Sequence, residues 1–428
     1  MNVSSNKHII LFYLGCFLLH SGVQGIFALA SSISIEGGIG TTSLSVGFAV
    51  ALAVVVFVPF LTETIGVKAI LIIGELSYAT YALANLYPTY TLIPGGVFLG
   101  IGEAAGWTGL AVISSFYAKK YSRNRFKDEL GYHNRFAGFL FGSTEAGRAV
   151  SNAIAFVCLY LDRHISGGRF VNSTVDLSIC GANDCQLANV TEANLERYAP
   201  RFEGTLFILI GIFVILMLMA VLVHVLYAPA DITARLNEWK VEQSRRSQTS
   251  FEDNVSLNPI VKTSSPALSD TGCDTSTVNA SSGSLTIDRL KLTNLEKCVQ
   301  SFAPLKNILL HGKHLLIFLI AIYTGTSLGF VISELTRSYA SCMLGVDQVG
   351  VGIVIFGLFQ SASSYLAGKF AERFGRNLPM LFGFVLDAAI YVFCLLWKPT
   401  EGTTYFVYIL FAAFGISLGI LLPLTNVN

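Results

Sequence analysis

The chain has 428 residues; 53% of them are hydrophobic, 13% are charged, and the formal net charge at pH 7 is +1. A soluble globular protein carries about 25% charged residues, so this composition predicts a protein that is surrounded by a lipid bilayer. The small net charge disfavours a nucleic-acid partner, because such a partner requires a strongly basic surface.

Ten apolar stretches are long enough to cross a hydrocarbon core of about 30 Å. They comprise residues 9–30, 42–61, 68–86, 91–117, 134–161, 204–226, 314–332, 348–366, 378–397 and 404–422. The first stretch is longer than the apolar core of a signal peptide, which has roughly 7–15 residues, so it is interpreted as a retained span. The sequence therefore predicts an all-α integral membrane protein with about ten transmembrane helices.

The charge of the connecting segments predicts their orientation. Residues 32–40 and 87–90 contain no Lys or Arg. Basic residues follow the fourth stretch at Lys119, Lys120, Arg123, Arg125 and Lys127. Because basic loops are retained on the cytoplasmic side, the N terminus and the even-numbered turns are predicted to be cytoplasmic. The predicted location is the plasma membrane, with an endosomal or endoplasmic reticulum membrane as alternatives.

The segment 162–202 is predicted to face the exterior or a lumen. It contains two N-glycosylation sequons, at Asn172 and Asn189, which only such a segment can use. It also contains Cys180-Gly-Ala-Asn-Asp-Cys185, in which a glycine-centred turn can bring two thiols within bridging distance in an oxidising compartment. A Cys180–Cys185 disulfide is therefore predicted, with two unpaired thiols as the alternative.

Three regions are predicted along the chain. Residues 1–228 form a half with six helices, residues 229–312 a largely disordered cytoplasmic linker, and residues 313–428 a second half with helices seven to ten. The linker prediction rests on its Ser/Thr-rich, aromatic-poor composition. Residues 59–68 repeat the Glu and Gly spacing of residues 368–376. Such internal repeats are typical of transporter folds built from paired halves.

A charged turn lies between the eighth and ninth apolar stretches. Its distinctive residues are Gly368, Glu372, Arg373, Gly375 and Arg376. One interpretation is that any cytoplasmic turn collects basic residues. The other is that the spacing resembles the Gly-x-x-x-Asp/Glu-Arg-x-Gly-Arg loop of the major facilitator superfamily. That resemblance implies a latch between the second and third helices of each six-helix half, and a twelve-helix fold that is truncated here after helix ten.

Five ionisable residues lie within the predicted spans: Glu75, Glu103, Glu145, Arg148 and Asp387. A charge at mid-bilayer costs about 2.5–3.5 kcal/mol on insertion scales, so each should face the protein interior, a cavity or a partner. Glu145 and Arg148 share a helical face and can neutralise each other, with an ion or substrate path as the alternative. Glu103 has two interpretations. It is either buried and protonated, as suits a proton-coupled carrier, or hydrated near the outer leaflet. Glu75 and Asp387 stand alone and would be interfacial if the helix registers shift.

Motifs for enzymatic chemistry are absent from the sequence. It has no Gly-x-Ser-x-Gly elbow, no phosphate-binding loop and no His-Glu-x-x-His. The eight cysteines form no zinc-ligand cluster. We therefore predict neither an enzyme nor a site for a cofactor or metal.

The run Glu334-Leu-Thr-Arg-Ser-Tyr-Ala-Ser-Cys-Met-Leu-Gly345 resembles the uncoordinated-93 family, a branch of the major facilitator superfamily, and most of all its homolog A group. The run Tyr90-Thr-Leu-Ile-Pro, Trp107, Asn152 and the Cys180–Cys185 hexapeptide agree with this resemblance. The similarity covers nearly the whole chain to the start of span ten. The positions that match the family near the outer end of span seven are Glu334, Arg337, Tyr339 and Cys342.

The resemblance implies a non-enzymatic multi-pass protein. Some members of the family are accessory subunits that regulate two-pore-type potassium channels, so potassium-channel subunits are the implied partners. The alternatives are a secondary transporter of a small solute, with or without proton coupling, and a chaperone for membrane-receptor trafficking, as in a more distant branch. The family does not lead us to expect charge at Glu103, Glu145 or Arg148, which weakens the case for a shared site there.

Overall fold

A computed structural model describes residues 3–33, 39–125, 129–165, 180–183, 203–230, 232, 234–235, 238–239, 312–344 and 346–425. Within these ranges every regular element is helical. The first half contains α1 Val3–Ile33, α2 Ile39–Val55, α3 Val58–Thr64, α4 Val67–Ala84, α5 Pro88–Ile101, α6 Trp107–Arg125, α7 Glu129–Ile165 and α8 Glu203–Tyr227. The second half contains α9 Gly312–Phe330, α10 Cys342–Leu344, α11 Val346–Phe374, α12 Asn377–Leu396 and α13 Phe406–Thr425.

Short non-α segments interrupt or join these helices. A π-helical turn, Gly102–Gly106, joins α5 to α6, and a longer one, Val331–Ser341, joins α9 to α10. Single 3₁₀ turns occur at Gly181–Asn183 and Glu401–Thr403.

Eight helical segments in the described part of the chain are long and apolar enough to cross a membrane, and the pair α2 and α3, bent by 58°, would make a ninth. The bend falls where Pro59 occupies the first turn of α3, because proline cannot donate the backbone hydrogen bond that a continuous helix requires. The predicted fifth span lies inside α7, which is long enough but too polar to be counted among the eight. The predicted all-helical, multi-pass membrane fold is confirmed.

The repeated turns have the same backbone geometry. Gly66 precedes α4 with φ +89°, and Gly375 precedes α12 with φ +81°. A positive φ is readily adopted only by glycine, so both turns depend on the absence of a side chain at this position. The repeat that the sequence shows is therefore also present in the chain path.

Each half has its own apolar core. In the first half the buried residues include Phe12, Leu71, Phe116 and Phe213. In the second half they include Val331, Phe356, Phe411, Phe414 and Leu418. Two separate cores are expected when a chain is built from two packed units joined by a linker.

The first core extends beyond residue 228, into the start of the predicted linker. Ile232 is buried in it, and the Trp239 ring stacks on Phe116 at 5.3 Å between centroids. The Arg123 guanidinium lies 5.0 Å from the centre of the same indole, which adds a cation–π contact. A single tryptophan does not change the composition of a long polar segment, so the composition could not reveal that Trp239 is anchored. The rest of the linker lies outside the described residues.

The two halves meet along α7 and α11, which run antiparallel; we call this contact the seam. A Cβ at Gly368 would lie 2.8 Å from the carbonyl oxygen of Asn134 and 2.9 Å from Gly138 Cα. Further along, Ser361 Oγ donates a hydrogen bond of 2.7 Å to the Gly142 carbonyl oxygen.

Small residues continue the seam towards the other end of both helices. A Cβ at Gly357 would lie 3.0 Å from the Ala149 nitrogen, and one at Gly350 would lie 3.2 Å from Phe156 Cβ. From residue 138 to residue 156 the seam is about 27 Å long, close to the thickness of the hydrocarbon core. Helices in lipid associate through such close backbone approach, because burial of apolar side chains gives no advantage there.

We expect Gly368→Leu to destabilise the protein by about 1–3 kcal/mol, because the new side chain would be forced into the α7 backbone. The matched control is Gly211→Leu on α8, where a Cβ would meet nothing within 4 Å. The control should change stability by less than about 0.5 kcal/mol. Thermal unfolding of the detergent-solubilised variants measures the difference, and equal midpoints for the two would contradict the close packing described for the seam.

Candidate functional site

The buried polar side chains of the spans form the candidate site. Those clusters that contain a buried acid lie in the first half, at the seam and in the second half. Each must be satisfied by protein partners, since the hydrocarbon core offers no water. Their arrangement decides whether they can form a path for an ion or solute.

In the first half, Glu75 of α4 contacts His224 of α8, and both side chains are fully buried. His224 Nε2 donates a hydrogen bond of 3.0 Å to the Phe12 carbonyl oxygen of α1. A carbonyl oxygen can only accept a hydrogen bond, so His224 Nε2 carries a proton. A second proton must lie between His224 Nδ1 and the Glu75 carboxyl group. The His224 imidazole fits against α1 because residue 15 is a glycine. A Cβ at Gly15 would lie 2.3 Å from His224 Nε2. The pair therefore joins three helices.

In the second half, Asp387 of α12 is fully buried and accepts hydrogen bonds from hydroxyl groups. Ser417 Oγ of α13 donates at 2.9 Å and Ser327 Oγ of α9 at 3.1 Å. Tyr323, also on α9, donates its hydroxyl to the same carboxyl group. The Tyr391 hydroxyl in turn donates to Ser327 at 3.0 Å. Asp387 therefore joins α9, α12 and α13.

Glu75 and Asp387 occupy comparable places in the two halves. Each lies on the helix that follows the repeated turn, and each connects that helix to two others. The partners differ: an imidazole in one half and hydroxyls in the other. Both carboxylates were predicted to lie within spans, but neither partner was predicted, since a lone His or Ser in an apolar stretch gives no signal of a distant contact.

At the seam, Arg148 Nε lies 2.8 Å from Glu145 Oε2, and both side chains are buried. The Arg148 guanidinium lies 5.8 Å from the centre of the Phe356 ring on α11. The Arg148 backbone oxygen accepts a hydrogen bond of 2.9 Å from Asn152 Nδ2. The ion pair thus lies on the face of α7 that meets the second half, and it neutralises itself there.

Glu103 differs from the other buried acids because it is partly exposed. It lies in the π-helical turn Gly102–Gly106 and is hydrogen-bonded to Tyr78 and Trp107. Gly102 leaves room for the Tyr78 ring, which would lie 2.9 Å from a Cβ at that position. Single π-helical turns of this kind are frequent at functional sites.

The charged turn connects the halves at one end of the seam. Glu372 lies 3.5 Å from Arg135 of α7, and Gly368 packs against that helix. Arg373 lies 5.6 Å from the ring of its neighbour Phe374, and Arg376 directly precedes α12. Gly375 supplies the positive φ of the turn.

The family-matching residues of the seventh span lie in the π-helical segment Val331–Ser341 and at its end; we call this segment with Cys342 the elbow. Arg337 donates a hydrogen bond of 2.6 Å to Glu334. The Tyr339 hydroxyl donates one of 3.0 Å to the Cys394 carbonyl oxygen on α12. The Tyr339 contact fixes the elbow against α12, and the Arg337–Glu334 contact lies within the elbow.

The predicted Cys180–Cys185 disulfide is wrong, because Cys180 is bonded to Cys342 of the elbow, 162 residues away. A cysteine can form only one disulfide, and the fold brings residues 180–183 onto the second half. Local spacing in a sequence cannot reveal such a contact. Cys185 and the predicted glycosylation sites Asn172 and Asn189 lie outside the described residues.

Metal binding finds no support in the part of the chain that the structure describes. No group of three or more His, Cys, Asp or Glu side chains there is arranged to hold an ion. The Glu75–His224 pair alone offers too few ligands for a structural site.

We expect His224→Ala to destabilise the protein by about 3–5 kcal/mol, because it leaves the Glu75 carboxyl group buried without its partner. The double variant Glu75→Ala/His224→Ala should lose less than the sum of the two single variants. His8→Ala, an exposed histidine of α1, is the control and should have little effect. Thermal unfolding in detergent measures all four, and strictly additive losses would show that the two side chains do not interact.

Comparison with known proteins gives the following relatives; no family model matches the chain. It is 25% identical to protein unc-93 homolog A of Xenopus laevis, covering 98% of this chain and 80% of that protein. For the Homo sapiens protein of the same name the identity is 25%, covering 92% of this chain and 74% of that one. The putative potassium channel regulatory protein unc-93 of Caenorhabditis elegans is 22% identical, covering 95% of this chain and 50% of that protein. The predicted resemblance to unc-93 proteins is confirmed.

Two solved structures of the xylose transporter XylE are similar to the chain. One is the proton:xylose symporter of the major facilitator superfamily bound to 6-bromo-6-deoxy-D-glucose, with a TM-score of 0.49 and 13% identity. The alignment covers 100% of this chain and 82% of that one. The other is a partially occluded, inward-open form from E. coli, with the same TM-score and identity, covering 99% and 84%.

Proposed function

We propose that this protein is a non-enzymatic accessory subunit that regulates a potassium channel through helix contacts within the bilayer. It spans the plasma membrane several times with its N terminus in the cytoplasm. The name of the Caenorhabditis elegans relative supports the partner class, although this chain spans only half of that protein's length. The observation that carries the proposal is that the most deeply buried acids are each bound by partners of their own half.

A coupled carrier needs an acidic group that gains and loses a proton or ion as the protein changes conformation. Glu75 and Asp387 are poorly suited to this, because each holds three helices of one half together. Glu145 already has its counter-charge three residues away on the same helix. These groups therefore support a structural role within a stable bundle.

Within the described residues, two spans of the second half expose much of their apolar surface. In the apolar 18-residue stretches of Phe318–Leu344 and Asn377–Leu396, 22% and 28% of the residues are buried, against 56% for the corresponding stretch of Lys7–Phe27. The exposed side chains of α12 are large and apolar and include Leu381, Val385 and Leu395. Helices of another membrane protein can pack on such a surface in place of lipid.

Co-expression with a panel of potassium channels tests this proposal. We expect the current of at least one channel to change at constant surface density, and the two proteins to co-purify in mild detergent. An effect on surface density alone would instead indicate a trafficking chaperone. Unchanged currents across the panel, with this protein present at the surface, would contradict regulation of a channel.

A secondary carrier is the second candidate, and only Glu103 favours it. This carboxyl group is partly exposed and lies in a π-helical turn, where a proton could be exchanged. If the protein is a carrier, accumulation of some solute should be lost in Glu103→Gln, which keeps the shape and removes the titratable group. Asp387→Asn is the variant for comparison with Glu103→Gln. Failure of the unmodified protein to accumulate any solute in the screen would exclude this candidate.

A further inference from the structure

The Cys180–Cys342 disulfide and the residues packed around it form a connection between the two halves; we call it the clasp. Cys180 precedes the 3₁₀ turn Gly181–Asn183 in the loop between α7 and α8, and Cys342 begins α10 in the second half. The backbone through residues 229–312 also connects the halves covalently. Because α8 and α9 adjoin that linker, the two connections lie at opposite ends of the bundle.

The clasp includes packing contacts as well as the disulfide. Gly181 has φ +77°, and a Cβ there would lie 3.2 Å from Tyr339 Cε1 and 3.4 Å from Pro399 Cγ. The Tyr339 ring stacks on Trp397, with 6.2 Å between centroids. Gly181 of the first half is therefore packed against the elbow and against the segment that follows α12.

The packing restricts relative motion of the halves. The seam joins them along α7 and α11, with a smaller contact between α7 and α13, and such a narrow contact can act as a hinge. The clasp adds a second attachment, outside the seam, at the end where Phe156 meets Gly350. Two separate attachments at one end of the bundle prevent the halves from opening there.

We propose that the clasp is a redox-sensitive lock: while the bond is intact this end of the bundle stays closed, and reduction by a dithiol allows it to open. Cys180 is fully buried and Cys342 is partly exposed, so attack on the Cys342 side of the bond is favoured. A thiolate of the reductant bonds to Cys342 Sγ, and the Sγ–Sγ bond breaks. Cys180 leaves as a thiolate and takes up a proton. The second thiol of the reductant then displaces Cys342, so the reductant ends as a disulfide and the protein as two thiols.

The first test asks whether the bond joins the halves. A cleavage site for a sequence-specific protease is inserted into the linker after Ser265, and the full chain is cut in detergent. On a denaturing gel without reductant the two fragments should stay together, and with reductant they should separate. Cys180→Ser and Cys342→Ser should each separate under both conditions.

Cys185→Ser is the matched control and should behave as the unmodified protein does. Separation of its fragments without reductant, or separation of the unmodified protein's fragments without reductant, would overturn the clasp.

The second test asks whether the bond acts as a lock. Fluorophores are attached by thioether bonds at Tyr90→Cys and Tyr405→Cys, which are exposed positions near the start of α5 and before α13. The six cysteines other than Cys180 and Cys342 are replaced by serine, and labelling is completed before reduction. Addition of a dithiol should lengthen and broaden the distance between the dyes. In Cys342→Ser the distance should already be long and should not respond, and an unchanged distance in the disulfide-bonded protein would overturn the lock.

Discussion

An acid that enters the hydrocarbon layer needs a partner within the protein, and this requirement organises the bundle. In each half a carboxyl group on one helix is held by groups from two neighbours. Glu75 is held through His224, which reaches the α1 backbone, and Asp387 is held by hydroxyls of α9 and α13. The price of placing an acid in lipid is thus offset by contacts that fix the helices relative to each other. The apolar residues around these groups then pack against an arrangement that is already defined.

The seam has a different basis, since its contacts are made mainly by residues without large side chains. Gly138, Gly142, Gly357 and Gly368 allow α7 and α11 to approach closely along most of the membrane thickness. Glycine weakens an isolated helix in water, but in lipid it lets backbones meet and increases dispersion contacts. The Glu145–Arg148 pair fits into this contact because its two charges cancel locally. Along the seam, close backbone packing is therefore the main contact between the halves, and polar contacts add to the apolar core within each half.

The helical architecture could be predicted from the sequence because it depends on local properties. The length of apolar stretches, the glycine spacing in the two turns and the alternation of basic loops are all visible along the chain. The site was less predictable, because its contacts link distant residues. Nothing local connects Glu75 to His224, Asp387 to Tyr323, or Cys180 to Cys342. The predicted disulfide failed for this reason: a short, plausible spacing was preferred to a distant contact that only the fold creates.

The anchoring of Trp239 changes how a load on the linker would reach the bundle. The indole is held between Phe116 and Arg123 of α6, so the segment after α8 is attached to α6 as well as to the end of α8. A load applied beyond residue 239 would act on α6 before it reached α8. Because the π-helical turn with Glu103 directly precedes α6, part of that load would be delivered to an irregular point of the first half.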